Sequence, residues 1–215
     1  MRVPIVLAIA LAVVPVAAVA ADAAGGAGGA GVAGGAATIY GGYRGGGGFS
    51  DSVTGQSIDV KDSGTVSASL DFPLDATRQW QIFVSYQRSE FESGTQSPTA
   101  SLNGQSMSVS YFHVGGTSFF QGQVGKGPYV VGGLGATLFK PSLNGYSSEW
   151  RPSMNIGIGY EWPLGQNVAL RAELRGYVTL VNSSSDLFCS GGCVVSIKGD
   201  TFTQGEAMVG LSARF

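Results

Sequence analysis

The sequence predicts an all-β fold: an eight-stranded, antiparallel, up-and-down β-barrel that crosses a membrane with its strands. Three observations predict it. Segment after segment alternates apolar and polar residues with a period of two, and none keeps a helical period. The connections between these segments alternate between long and short. Charged residues are only 12% of the chain while hydrophobic residues are 44%, and an average soluble domain carries about 25% charge. A net charge of −2 excludes a basic nucleic-acid binder. The supply of 11 Phe and 8 Tyr excludes a disordered chain. One His and two Cys leave little material for a metal cluster, and no cofactor is expected.

Residues 1–20 read as an export signal. Arg2 gives a short positive start, an apolar run follows, and Ala18-Val19-Ala20 is the small-x-small pattern that precedes cleavage. The rival is a retained anchor, since about 18 apolar residues approach the spanning minimum. The terminal position, Pro4, Pro15 and the small-residue exit favour cleavage. Residues 21–37 are almost wholly Ala and Gly and form a flexible tether. The folded unit is residues 38–215.

The clearest strand spans residues 167–181. Val168, Leu170, Ala172, Leu174, Gly176, Val178 and Leu180 take one parity; Ala169, Arg171, Glu173, Arg175, Tyr177 and Thr179 take the other. A helix would scatter these charges around its cylinder. Four further segments repeat the alternation. Their apolar faces are Val66 to Phe72, Trp80 to Tyr86, Met154 to Trp162 and Ala207 to Phe215. Segments 38–49, 105–118 and 129–140 are weaker, blurred by Gly or by apolar residues on both faces. Long connections near 50–64, 93–104, 141–149 and 182–200 alternate with short turns near 75–78, 122–127 and 163–166. Long loops on one side and tight turns on the other are an outer-membrane pattern, with both termini on the turn side and the long loops outside.

Parity alone does not say which face is inside. Aromatic residues decide, because they gather near strand ends: Phe72, Trp80, Tyr129, Trp162 and Phe215 beside the turns, Phe49, Phe91 and Trp150 beside the loops. Two such belts match interfacial girdles. Turning Arg171, Glu173 and Arg175 into lipid would cost ~2–4 kcal/mol per basic residue near the midplane. Asp71, Glu161, Arg171, Glu173, Arg175, Glu206 and Arg214 are therefore expected in the lumen as a paired charge network.

The chain ends Val209-Gly210-Leu211-Ser212-Ala213-Arg214-Phe215. A terminal Phe after alternating apolar residues resembles the C-terminal insertion signal of Gram-negative outer-membrane proteins, here Val209, Leu211, Ala213 and Phe215. With the export signal and eight strands, the folded unit resembles the small outer-membrane β-barrels of OmpA/OmpX type. The resemblance implies an outer-membrane location. The partners it implies are membrane lipid and lipopolysaccharide and the barrel-insertion machinery.

Cys189 and Cys193, in Cys-Ser-Gly-Gly-Cys, are expected to form a disulfide that staples the fourth long loop. A redox or metal pair would need further ligands. His113 is the only histidine; Ser108, Ser110 and Glu206 are its conceivable partners in a lipid-modifying site, but it lies toward the turn-side half, away from outer-leaflet chemistry. Glycine clusters such as Gly132-Gly133-Leu134-Gly135 lack the Lys-Ser/Thr of a phosphate loop. The first long loop, with Asp51, Asp59 and Asp62 against Lys61, is acidic and offers no basic patch. An eight-stranded barrel is just wide enough to be filled by side chains. The expected role is therefore structural or interactive, a non-enzymatic barrel presenting four extracellular loops. The alternative is a narrow channel or conduit for small, even apolar, molecules, and a lipid A-modifying enzyme ranks below both.

Overall fold

The computed structural model describes residues 34–50, 57–93, 106–121, 123–142, 148–181, 186–187, 195–196 and 201–215. The export signal, residues 21–33 of the tether, and Cys189 with Cys193 lie outside the described residues.

Eight long strands form the barrel: β1 (Ala36–Gly45), β2 (Ser63–Pro73), β3 (Arg78–Ser93), β4 (Ser106–Phe119), β5 (Gly127–Pro141), β6 (Glu149–Pro163), β7 (Val168–Leu180) and β8 (Thr201–Arg214). Each pairs antiparallel with its sequence neighbours. β1 also pairs antiparallel with β8, in register from Ala36↔Arg214 to Gly45↔Gly205, and this closes the sheet. Closure removes the free strand edges that an open sheet would leave unpaired. Two short hairpins, Gly48–Ser50 with Ser57–Val60 and Asp186–Leu187 with Val195–Ser196, lie in the first and fourth long loops.

The side-chain period of two separates the two faces cleanly. Leu174 is 57% exposed, Leu211 58% and Ile156 74%, all on the outer wall. Arg171, Glu173, Arg175 and Glu206 are buried on the inner wall. A water-soluble barrel would show the reverse. An apolar outer wall with an ionic interior is stable only where hydrocarbon surrounds it. The outward Trp150 and Trp162 bracket this wall on β6. Twelve residues apart, they stand about 40 Å apart along the strand. At a tilt of about 40° that is about 30 Å of height, the thickness of a bilayer core.

The outward aromatics near the turns are Phe72, Trp80, Phe120, Tyr160, Trp162 and Phe215; Tyr43, Tyr86, Phe112 and Trp150 stand nearer the loops. Tyr129, expected in the turn-side belt, is fully buried inside the barrel instead. It shares the inward parity of Val131, and the apolar residues on both faces of β5 hide that parity in the sequence. The side chains of Phe49 and Phe91 lie outside the described residues.

Candidate functional site: a charge-filled lumen

The lumen is filled in tiers. The tier nearer the turns is centred on Arg171 of β7. Its Nε donates to Glu161 Oε2 at 2.8 Å and its Nη1 to Asp71 Oδ2 at 2.8 Å. Asp71 also accepts from Gln81 Nε2 at 2.8 Å and from Ser69 Oγ at 2.9 Å. Glu161 shares its second oxygen with Arg214, whose Nη2 donates at 2.7 Å from the rim. Arg175 donates to Glu173 Oε2 at 2.7 Å and to Gln81 Oε1 at 2.8 Å. Its guanidinium lies 3.8 Å from the centre of the Phe83 ring.

Two tyrosines complete Glu173. Tyr40 donates to its Oε1 at 2.8 Å from β1, and Tyr129 donates to the same oxygen at 2.6 Å from β5. Each ring lies over a glycine directly opposite it on the neighbouring strand: Tyr40 over Gly210, Tyr129 over Gly159. A methyl group at Gly159 would collide with the Tyr129 ring, and one at Gly210 with the Tyr40 ring. These two glycines make the room in which the rings lie flat and reach the carboxylate.

The tier nearer the loops is centred on Glu206 of β8. Its Oε2 accepts from Arg44 Nη2 at 2.8 Å and from Tyr177 at 2.5 Å; its Oε1 accepts from Thr65 at 2.5 Å. The Arg44 guanidinium also donates to Ser85 and stacks against Tyr111 and Tyr177, 4.7 and 4.9 Å from their centres. Tyr111, Gln204 and Gln87 continue the chain of hydrogen bonds to the Arg44 carbonyl.

All seven residues expected in the charge network sit in these tiers or at their rim, with six of them buried and Arg214 partly exposed. Arg171 pairs across the barrel with Asp71 and with Glu161 directly opposite it on β6, and Arg175 pairs with Glu173 on its own strand. The partner of Glu206 is Arg44, which the sequence reading did not single out. Arg44 has the parity of Thr38 and Tyr40, a signal diluted by Gly41, Gly42 and Gly45 around it. With Arg44 included, these tiers set four arginines against four carboxylates.

Among the described residues, apolar side chains stand at both mouths. At the loop side, Val60 from the first loop packs into the barrel with Met107, Val109, Phe139, Val181 and Phe202. At the turn side, Val124 from the β4–β5 turn packs against Phe119, Tyr129 and Val131. That turn is tied across the opening. Val124 N–H donates to Ala76 O at 2.8 Å, and Arg214 Nη2 donates to Gly125 O at 2.6 Å from the other wall.

His113 is buried in the middle of the lumen. Its Nε2 lies 3.0 Å from Ser153 Oγ, and its ring stacks against Tyr111 and Tyr177. The partners conceived from sequence are not brought to it: Ser108 and Ser110 have the opposite parity on β4, and Glu206 is held by Arg44 and Tyr177. No carboxylate orients the imidazole among the described residues. Among those residues there is also no grouping of three His, Cys, Asp or Glu that could hold a metal ion. Val209 and Leu211 are 54% and 58% exposed on the outer wall, in one row with the exposed Ala213 and Phe215. Phe215 N–H donates to Gly35 O at 3.0 Å, which places the end of the chain beside the start of β1.

No protein-family model matches this chain, and no curated protein matches it. Solved structures do. The crystal structure of Neisserial surface protein A superposes with a TM-score of 0.54 at 16% identity, covering 84% of this chain and 97% of that one. The outer membrane protein OprG from Pseudomonas aeruginosa gives 0.51 at 12% identity, covering 84% and 96%. The solid-state NMR structure of the outer membrane protein AlkL in lipid bilayers gives 0.52 at 14% identity, covering 91% and 97%. Identities this low speak for the fold alone: this chain has the fold of the small outer-membrane β-barrels.

Proposed function

We propose that the chain is a resident of the Gram-negative outer membrane and acts as a rigid, non-enzymatic scaffold whose four long loops face the exterior and meet other molecules. The observation that carries this reading is the side-chain-filled lumen. An aqueous pore needs a continuous open path, and here two tiers of hydrogen-bonded charged side chains occupy the interior, with Val60 and Val124 packed among apolar side chains toward its ends. Ion pairs with every carboxylate satisfied resist rearrangement, because breaking one leaves a buried charge uncompensated. The export signal at residues 1–20 and the row Val209, Leu211, Ala213 and Phe215, as the mark read by the insertion machinery, support the location. A Cys189–Cys193 disulfide would stiffen the fourth loop for such a surface role.

A second reading, a narrow conduit for small apolar molecules, is favoured by the apolar tier of Met107, Val109, Phe139 and Phe202 at the loop-side mouth. The charge tiers stand below it and would have to open. Planar-bilayer recording separates the two. The scaffold reading expects no steady unitary currents from reconstituted protein; reproducible single-channel steps would overturn it in favour of the conduit.

A further inference from the structure

Among the described residues of the eight strands, the outer wall carries positive charge at one place on its loop-side edge. Arg88 of β3 and Lys140 of β5 are both exposed and outward. Strand register puts them in one lateral row with Ser108 between them: Arg88 pairs with Ser108, and Ser108 with Lys140. Two strand spacings separate the cations, about 10 Å, a gap that two long flexible side chains close from both sides. Neither cation has an ion-pair or side-chain hydrogen-bond partner among the described residues.

The row sits at a defined height. One pleat below it run Tyr86, Ser110, Leu138 and Trp150, again in register. Tyr86 and Trp150 are 50% and 57% exposed, and Phe112 packs against Trp150 with ring centres 5.3 Å apart. These aromatics mark the upper limit of the apolar wall. The acidic neighbour, Glu90, pairs with Ser106 one pleat further out. The order away from hydrocarbon is thus aromatic, cation, carboxylate. At the same end of the other strands the outward positions are uncharged: Tyr43, Gly64, Trp150, Leu180 and Thr203.

We infer that Arg88, Ser108 and Lys140 form a docking ridge for the phosphate of a lipid headgroup in the loop-side leaflet. Two cations and a hydroxyl immediately above an aromatic belt match the height at which lipid phosphates lie, and cations near a membrane surface attract anionic headgroups. Arg supplies a planar fork of donors and Lys a mobile point charge, so together they grip one phosphate from two sides. This inference rests on the outer-membrane reading above.

The test uses full-length mature protein folded into phosphatidylcholine vesicles, with or without a bis-phosphorylated lipid A. The readout is the temperature at which the folded, fast-migrating band disappears from gels of unboiled samples. Wild type is expected to gain thermal resistance when the phosphorylated lipid is present. The Arg88→Gln/Lys140→Gln double variant is expected to fold equally well in phosphatidylcholine alone and to lose more than half of that gain. Each single variant is expected to lose part of it, while Glu90→Gln keeps all of it. An undiminished gain in the double variant would overturn the ridge and leave the barrel reading intact. So would an equal gain from inorganic phosphate, which would make the headgroup irrelevant. Failure of wild type to give any folded, heat-sensitive band in vesicles would overturn both.

Discussion

Arg44 shows how one side chain can be indispensable without taking part in any chemistry. Its guanidinium is fully buried, paired with Glu206, and sandwiched between Tyr111 and Tyr177. Removing it leaves the Glu206 carboxylate charged and hydrogen-bonded only to hydroxyls, so Arg44→Ala is expected to lower stability by about 3–5 kcal/mol. The double replacement Arg44→Met/Glu206→Gln removes both charges together and is expected to cost clearly less. Arg78, in an exposed pair with Asp75, is the internal control, where Arg78→Ala should cost at most about 1 kcal/mol. Urea titration of the folded band in vesicles measures all three, and an Arg44→Ala cost no larger than that of Arg78→Ala would remove the buried pair from the stability argument. The sequence hid Arg44 because glycines surround it, so β1 offers only Thr38, Tyr40 and Arg44 against Ile39 and Tyr43 as evidence of its parity. Tyr129 was hidden for a different reason. It sits at the end of a strand with apolar residues on both faces, and only the hydrogen bond to Glu173 distinguishes it from a girdle aromatic.

At the scale of elements, the turn between β2 and β3 is built around Asp75. The Thr77 N–H donates to Asp75 Oδ1 at 2.8 Å, and Thr77 Oγ1 and the Arg78 N–H donate to the same oxygen at 2.8 and 2.9 Å. Arg78 Nε reaches Oδ2 at 2.6 Å. The Thr77 N–H first, and then the Arg78 side chain and the Thr77 hydroxyl, hold the carboxyl well below the usual carboxylate range. The folded value is depressed, so the contribution is complete above the unfolded value of about 4. It is lost as pH falls through the lower folded one. Asp75→Ala is therefore expected to slow hairpin closure and lower the melting point at neutral pH, with the gap to wild type narrowing once pH falls below about 4. Melting curves of both proteins across that range check it, and a gap independent of pH would assign the effect to turn geometry alone. The legibility of the elements followed the same chemistry. β7 and β8 could be read residue by residue because every charge they carry, Arg171, Glu173, Arg175, Glu206 and Arg214, falls on the inward parity. β4 and β5 resisted, since Gly115, Gly132, Gly133 and Gly135 carry no side chain to report a face. The pairing of Arg175 within its own strand was not legible, because Glu206, its register partner on β8, is taken by Arg44, which the sequence hid.

The whole molecule is governed by the sign of its two surfaces, and that sign can be measured. In a barrel surrounded by water, an outward leucine is a mild liability, and replacing it with arginine is neutral to within about 0.5 kcal/mol or better. In a barrel surrounded by hydrocarbon, the same change buries a guanidinium in lipid and costs about 2–4 kcal/mol near the midplane. Leu174 stands near the middle of β7, outward and 57% exposed, with its neighbours Glu173 and Arg175 engaged inside. Leu174→Arg is accordingly expected to destabilise the vesicle-folded protein by that larger amount. Leu180→Arg, near the loop-side end of the same strand and of the same parity, should cost no more than about 1 kcal/mol. The graded loss with depth is the signature of a bilayer. A uniform loss at both positions would point to a packing defect in the wall, and no loss at either would show that water wets this surface. Since the two tiers balance four arginines against four carboxylates, they by themselves favour no particular surroundings. It is the apolar outer wall that commits the molecule to a membrane, and the Leu174/Leu180 comparison tests that commitment directly.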